Sequence, residues 1–197
     1  MTTNLDFNDA GEQRTLEVIP ANTIATVHLT IRPGGAGDGS WLKRSADGAS
    51  EGLDCELTVV DGPFAKRKLW HRFTLAGTTE RHEQAREISR RMLRAILESA
   101  RGIRPDDASE AAQNARKRSS WADFDGLRFV VRIGVQPPKG NYQARNTLLE
   151  VITPERQGWK QPAQIDAATK PNGPAPAATT TPPANAIARP NWAKKDE

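Results

Sequence analysis

The spacing of apolar residues changes twice along this chain, and that change limits its fold more than any single motif. Apolar residues first recur at every second position, as on a half-buried strand. Thr23–Ile31 places Ala25, Val27, Leu29 and Ile31 on one face and Thr26, His28 and Thr30 on the other. Leu53–Val60 repeats the pattern with Leu53, Cys55, Leu57 and Val59. Arg67–Leu75 sets Leu69, His71, Phe73 and Leu75 against Lys68, Trp70, Arg72 and Thr74. Asp61-Gly62-Pro63-Phe64 between the last two runs is a turn signal, so they read as a hairpin.

The period then lengthens to that of a helix. Over Glu80–Arg101, Ala85, Ile88, Met92, Ala95, Ile96, Ser99 and Ala100 (with Ile103 just beyond) form an amphipathic stripe, with Thr78 or Thr79 as the N-cap and Gly102 as the stop. Asp106–Lys117 predicts a second, short polar helix. Period two returns in Leu127, Phe129, Val131, Ile133 and Val135, with Arg128 and Arg132 facing outward, and in Asn146–Thr153 with Leu148, Leu149, Val151 and Ile152. The order is β-β-β-α-β-β. A mainly β chain with this order fits the OB-fold, a five-stranded Greek-key barrel that binds oligonucleotides or oligosaccharides.

Composition bounds what surrounds this body. Residues 161–197 hold seven Pro and ten Ala, including the run PNGPAPAATTTPPANA, and have no periodic apolar face. Such a segment cannot bury enough apolar surface to offset its ordering entropy, and it reads as a disordered tail. Residues 1–15 read as a flexible N-terminus, leaving 16–160 as the folded domain. One Cys among 197 residues excludes an internal disulfide framework and fits a reducing cytoplasm. No apolar run reaches the roughly 18 residues a membrane span needs.

Catalysis finds little support in the residue pattern. His28, His71 and His82 are scattered, without Cys or carboxylate partners at metal-ligand spacing, and Cys55 lies on a core face. The glycine-rich Arg32–Ser40 lacks the Gly-Lys-Ser/Thr ending of a phosphate-binding loop. The expectation is a protein with no enzymatic activity, metal or cofactor.

Binding is better represented. Trp70 alternates onto the solvent side of its strand between Lys68 and Arg72, with Lys66 and Arg67 just before them. An exposed indole among cations suits single-stranded DNA: a base stacks on the ring while Lys and Arg meet phosphates. A different fate for Trp70 is burial beneath the helix or a loop, although strand parity opposes it while Leu69 and Phe73 fill the core. Arg128 and Arg132 extend the basic surface to the fourth strand. Lys139, Tyr142 and Arg145, around PPKGNY, form either a clamp on the DNA or an ordinary solvated hairpin rim.

The entry Trp41-Leu42-Lys43, the strand Leu53–Val60, the run DGPFAKRKLWHRFTL and the upstream Ile19-Pro20-Ala21 together resemble phage replication-module proteins catalogued as domain of unknown function 669. The resemblance covers roughly Leu16–Ile152, with an inserted Ser45–Gly52. It implies an OB-fold, single-stranded-DNA-binding protein of replication or recombination, acting in the host-cell cytoplasm. Phe64, Trp41 and Lys43 join the candidate binding residues through it. The alternative is an interaction module that recruits replication or recombination proteins through the tail, and homo-oligomerisation stays open.

Overall fold

The computed structural model describes residues 8, 9, 11 and 17–164. The expected tail, apart from 161–164, and most of the expected N-terminal segment lie outside the described residues. Six antiparallel strands form one open sheet: β1 (Thr23–Arg32), β2 (Lys43–Arg44), β3 (Ser50–Val59), β4 (Lys68–Gly77), β5 (Arg128–Gln136) and β6 (Arg145–Ile152). Two α-helices, α1 (Glu80–Arg101) and α2 (Glu110–Arg116), and a 3-10 turn at Trp121–Phe124 fill the connection between β4 and β5. No helix among the described residues is long and apolar enough to cross a membrane.

β1 is the centre of the sheet. It pairs with β3 on one side and β5 on the other; β4 extends the sheet beyond β3, and β6 extends it beyond β5. Five long strands were expected, and the sixth is a continuation of the first. β1 leaves β3 at Arg32↔Asp54, the chain makes a small excursion, and β2 resumes the same edge at Lys43↔Gly52. Within that excursion, reciprocal hydrogen bonds between Ala36 and Leu42 hold the glycine-rich segment as a miniature hairpin. Gly34 sits where a Cβ would meet the Lys43 backbone at 2.5 Å, so a larger residue would block the return of the strand.

Strand parity follows the apolar alternation. Val27, Leu29, Ile31, Leu53, Cys55, Leu57, Val59, Leu69, Phe73, Phe129, Val131 and Ile133 are all buried in one core. Two bulges break the pattern. Between β5 and β6, Arg132 pairs with Glu150 and Ile133 with Leu148, so Leu149 is the extra residue and is exposed, not inward as its apolarity suggested. Between β3 and β4, Leu75 is passed over in the same way next to Gly52, whose Cβ would meet the Phe73 carbonyl oxygen at 2.3 Å.

α1 keeps its predicted ends. The Thr79 hydroxyl accepts from the His82 N–H, and Gly102 takes the left-handed conformation at φ 68°. Its buried face keeps Ile96, Ser99 and Ala100 of the predicted stripe, with Met92 and Ala95 packed against the core, and adds Leu93 and Leu97. Leu93, Ile96, Leu97 and Ala100 are buried, whereas Ile88 is 57% exposed. The core covers the C-terminal half of the helix most fully, which widens its apolar face to include Leu93 and Leu97 and leaves Ile88, nearer its start, in solvent. Glu98 is buried with them, held by Arg94 Nε at 2.8 Å and Arg116 Nε at 2.7 Å.

The folded body continues past Lys160. Pro162 is buried. The Gln164 side chain accepts from the Arg128 N–H at 3.0 Å and donates to the carbonyls of Arg128 and Ala100. Trp159 Nε1 donates to the Ser99 carbonyl and Gln161 Nε2 to that of Ala100. These bonds satisfy carbonyls in the last turn of α1, which have no partner within the helix.

Candidate nucleic-acid interface

The alternation that buries Leu53, Cys55, Leu57 and Leu69 sends their neighbours to the opposite face. There Glu56 of β3 lies directly across from Trp70 of β4, and Asp54 across from Arg72. Arg32, at the end of β1, pairs in register with Asp54, while Thr30 pairs with Glu56. Trp70 is 60% exposed, so parity alone decides its fate and no bulge turns it inward. The Arg32 guanidinium stands 5.7 Å from the centre of its ring, covering one part of the indole with positive charge.

The carboxylates organise the cations. Glu56 is bridged by Arg32 at 2.5 Å and by Lys68 Nζ at 2.8 Å. Asp54 is bridged by Arg72 at 2.9 Å and by Lys43 Nζ at 3.1 Å, and Arg72 also donates to the Lys43 carbonyl. Four cations therefore share two carboxylates, leaving the patch net positive and each cation oriented. Burial pushes the Glu56 carboxyl up, but its hydrogen bonds and charge contacts with Lys68 and Arg32 outweigh that and hold it below the ordinary value.

At the open side of the sheet this face borders a groove of about 440 Å³, where Trp70 and Arg72 of β4 look towards Arg145 and Thr147 of β6. Arg145 is steadied by Gln136 at 2.8 Å. His71 and Cys55 line its deeper side. Burial lowers the His71 pKa and raises that of the Cys55 thiol to about 12, so both are neutral near pH 7 and the thiol is a poor nucleophile.

Lys68, Trp70 and Arg72, grouped by their alternation, are thus brought together with Lys43, named through the resemblance, and with Arg145, assigned to the separate turn cluster. Lys139 and Tyr142 sit on the β5–β6 hairpin tip beyond Arg145, linked by reciprocal backbone bonds, with Tyr142 81% exposed. Lys66 is exposed in the β3–β4 turn, and Arg67 donates from there to the Glu17 carbonyl.

Four candidates belong elsewhere. Phe64 and Trp41 are half-buried and pack against the hydrophobic core, so their rings serve the body rather than the face. Arg128 binds the Ala163 carbonyl beside the Gln164 clip. Arg132 pairs with Glu150 at 3.2 Å, at the end of β1 remote from Arg32. Asp54, Glu56 and Arg32 were missed although the signal existed, because the parity that turns Cys55 and Ile31 into the core turns their neighbours to the opposite face, where Glu56 is buried beneath its cations. Comparison of the chain with protein-family models and with curated proteins returned no match.

Proposed function

We propose that this chain binds single-stranded DNA on the face around Trp70, as a non-enzymatic OB-type module of replication or recombination. The observation that carries the reading is the 60% exposure of Trp70 among Lys68, Arg72, Arg32 and Lys43. An indole this open stacks with any base, and stacking contributes about 1–3 kcal/mol per base without a sequence code. The flanking cations come from the two sides of β3, with Lys68 and Arg72 on β4 and Arg32 and Lys43 on β1 and β2, so they surround the indole as phosphates of a strand stacked on it would require. Connectivity supports the same reading: β1 lies between β3 and β5, the helices cross from β4 to β5, and the sheet stays open between its last strands, as in a partly open Greek-key barrel. The resemblance to phage replication-module proteins agrees with it.

The asymmetry of charge sets the expected behaviour. Asp54 and Glu56 already occupy the cations, so phosphates must compete for them, and binding should be moderate and sensitive to salt. The test is a titration of oligo(dT) and of duplex DNA across a salt series. Oligo(dT) should bind more tightly, with log K falling at a slope of about −0.7 per contacted phosphate as log[salt] rises. Preference for duplex, or affinity indifferent to salt, would overturn the proposal.

A further inference from the structure

A second cleft, remote in character from the Trp70 face, lies where α1 meets the 3-10 turn Trp121–Phe124. It encloses about 620 Å³, within the roughly 300–1,000 Å³ of small-molecule sites. Its apolar lining comes from Leu75, Leu93, Leu97, Trp121 and Phe124. Its polar lining is dominated by four arginines, Arg90, Arg94, Arg116 and Arg118, with Asp38 the single carboxylate among the lining residues.

The four guanidiniums are not equivalent. Arg94 is held by Glu98 and the Pro105 carbonyl. Arg116 is held by Glu98 and by the carbonyls of Asp107 and Arg104. Both are fixed parts of the wall, and Glu98 offsets only one of their charges. Arg118 is different: Nη2 donates to the Ala115 carbonyl at 2.7 Å, but its Nε is buried with no hydrogen-bond partner among the described residues. That Nε is sealed from solvent, so a ligand in the cleft meets this guanidinium through its outer nitrogens, of which Nη2 is already engaged. Arg90 is exposed and, among the described residues, is paired only with the exposed Glu87, at 3.5 Å, so it has donors to spare.

We propose that this cleft binds a small aromatic anion, its ring system against Trp121, Leu93 and Leu97 and its carboxylate, sulfonate or phosphate on Arg90 and Arg118. An apolar floor beside spare guanidinium donors selects for both parts of such a ligand. A neutral ring leaves the guanidiniums of Arg90 and Arg118 without an anion, and an inorganic anion leaves the floor wet. The site uses none of the residues of the Trp70 face.

The probe is 8-anilinonaphthalene-1-sulfonate, titrated by fluorescence into the folded full-length chain, with N-phenyl-1-naphthylamine as the same ring system lacking the sulfonate. The sulfonate should bind saturably at one site, and the neutral amine about tenfold more weakly or worse. Arg90→Gln with Arg118→Gln should weaken the sulfonate by about tenfold while leaving the neutral amine unchanged. Because Arg118 also holds a carbonyl, Arg90→Gln alone is the second variant, and it should cost about threefold. Trp70→Ala should leave the sulfonate affinity as it was. Emission that never saturates, tighter binding of the neutral amine, or unchanged sulfonate affinity in Arg90→Gln would overturn the proposal.

Discussion

Glu56 and Trp70 face one another across the β3–β4 ladder, a buried carboxylate opposite an exposed indole. Arg32 joins them, bridging Glu56 while standing 5.7 Å over the Trp70 ring. The aromatic platform, the cation beside it and the carboxylate that anchors the cation are therefore one unit. Changes at either residue should be read on both stability and binding.

Trp70→Ala should weaken oligo(dT) binding by about 1–3 kcal/mol and abolish most of the fluorescence quenching caused by the oligonucleotide. Its exposure means that little packing is lost, so thermal melting should shift by no more than a few degrees. A variant that binds oligo(dT) like the parent would remove the indole from the interface.

Glu56→Gln frees Arg32 and Lys68 from their shared carboxylate. Oligo(dT) affinity at low salt should rise severalfold, and the salt dependence should steepen, because two cations become available to phosphate. The same substitution should lower thermal stability, since the buried bridges are lost. Weaker DNA binding in this variant, measured where it is folded, would show that Arg32 and Lys68 do not meet phosphate.

Acid should destabilise the chain in two separate windows. Burial keeps the His71 pKa below its ordinary 6.5, so below that value the unfolded chain binds a proton that the folded one resists, and stability falls as pH drops through 6.5. Glu56 works lower. Its pKa is held below 4.5, so its contribution is present above that value and is lost as pH falls through the folded pKa. Melting temperatures of the parent and His71→Gln from pH 8 to pH 5 check the first window. Parallel curves would exclude His71 as its source.

Truncation should discriminate between residues four positions apart. Ending the chain after Gln164 keeps every bond of the clip described above. Ending it after Lys160 removes the Gln164 bonds to Arg128 and Ala100 and uncovers the end of α1. The longer product should melt like the full chain, and the shorter one lower. Identical melts would mean that residues 161–164 contribute nothing to the body.

Much of this architecture was legible along the chain. Residues at period two have no choice of face once their neighbours are buried, so Leu69 and Phe73 inside require Trp70 outside. The same rule predicted the inward faces of β1 and β3. Helix ends were equally readable, because Thr79 and Gly102 act through bonds to residues within a few positions. What tertiary structure decided are the features that depend on distant partners. Leu149 lost its inward place to a bulge set by pairing register, and Ile88 stays in solvent because the core covers mainly the C-terminal half of α1, where Leu93 and Leu97 are buried. The charge at the interface was decided in the same way. Lys68, Arg72, Arg32 and Lys43 look independent in sequence, and only the pairing of three strands with β3 places Glu56 and Asp54 among them. Local periodicity determines which way a side chain points. What it meets there depends on register, which is set by contacts far apart in the chain.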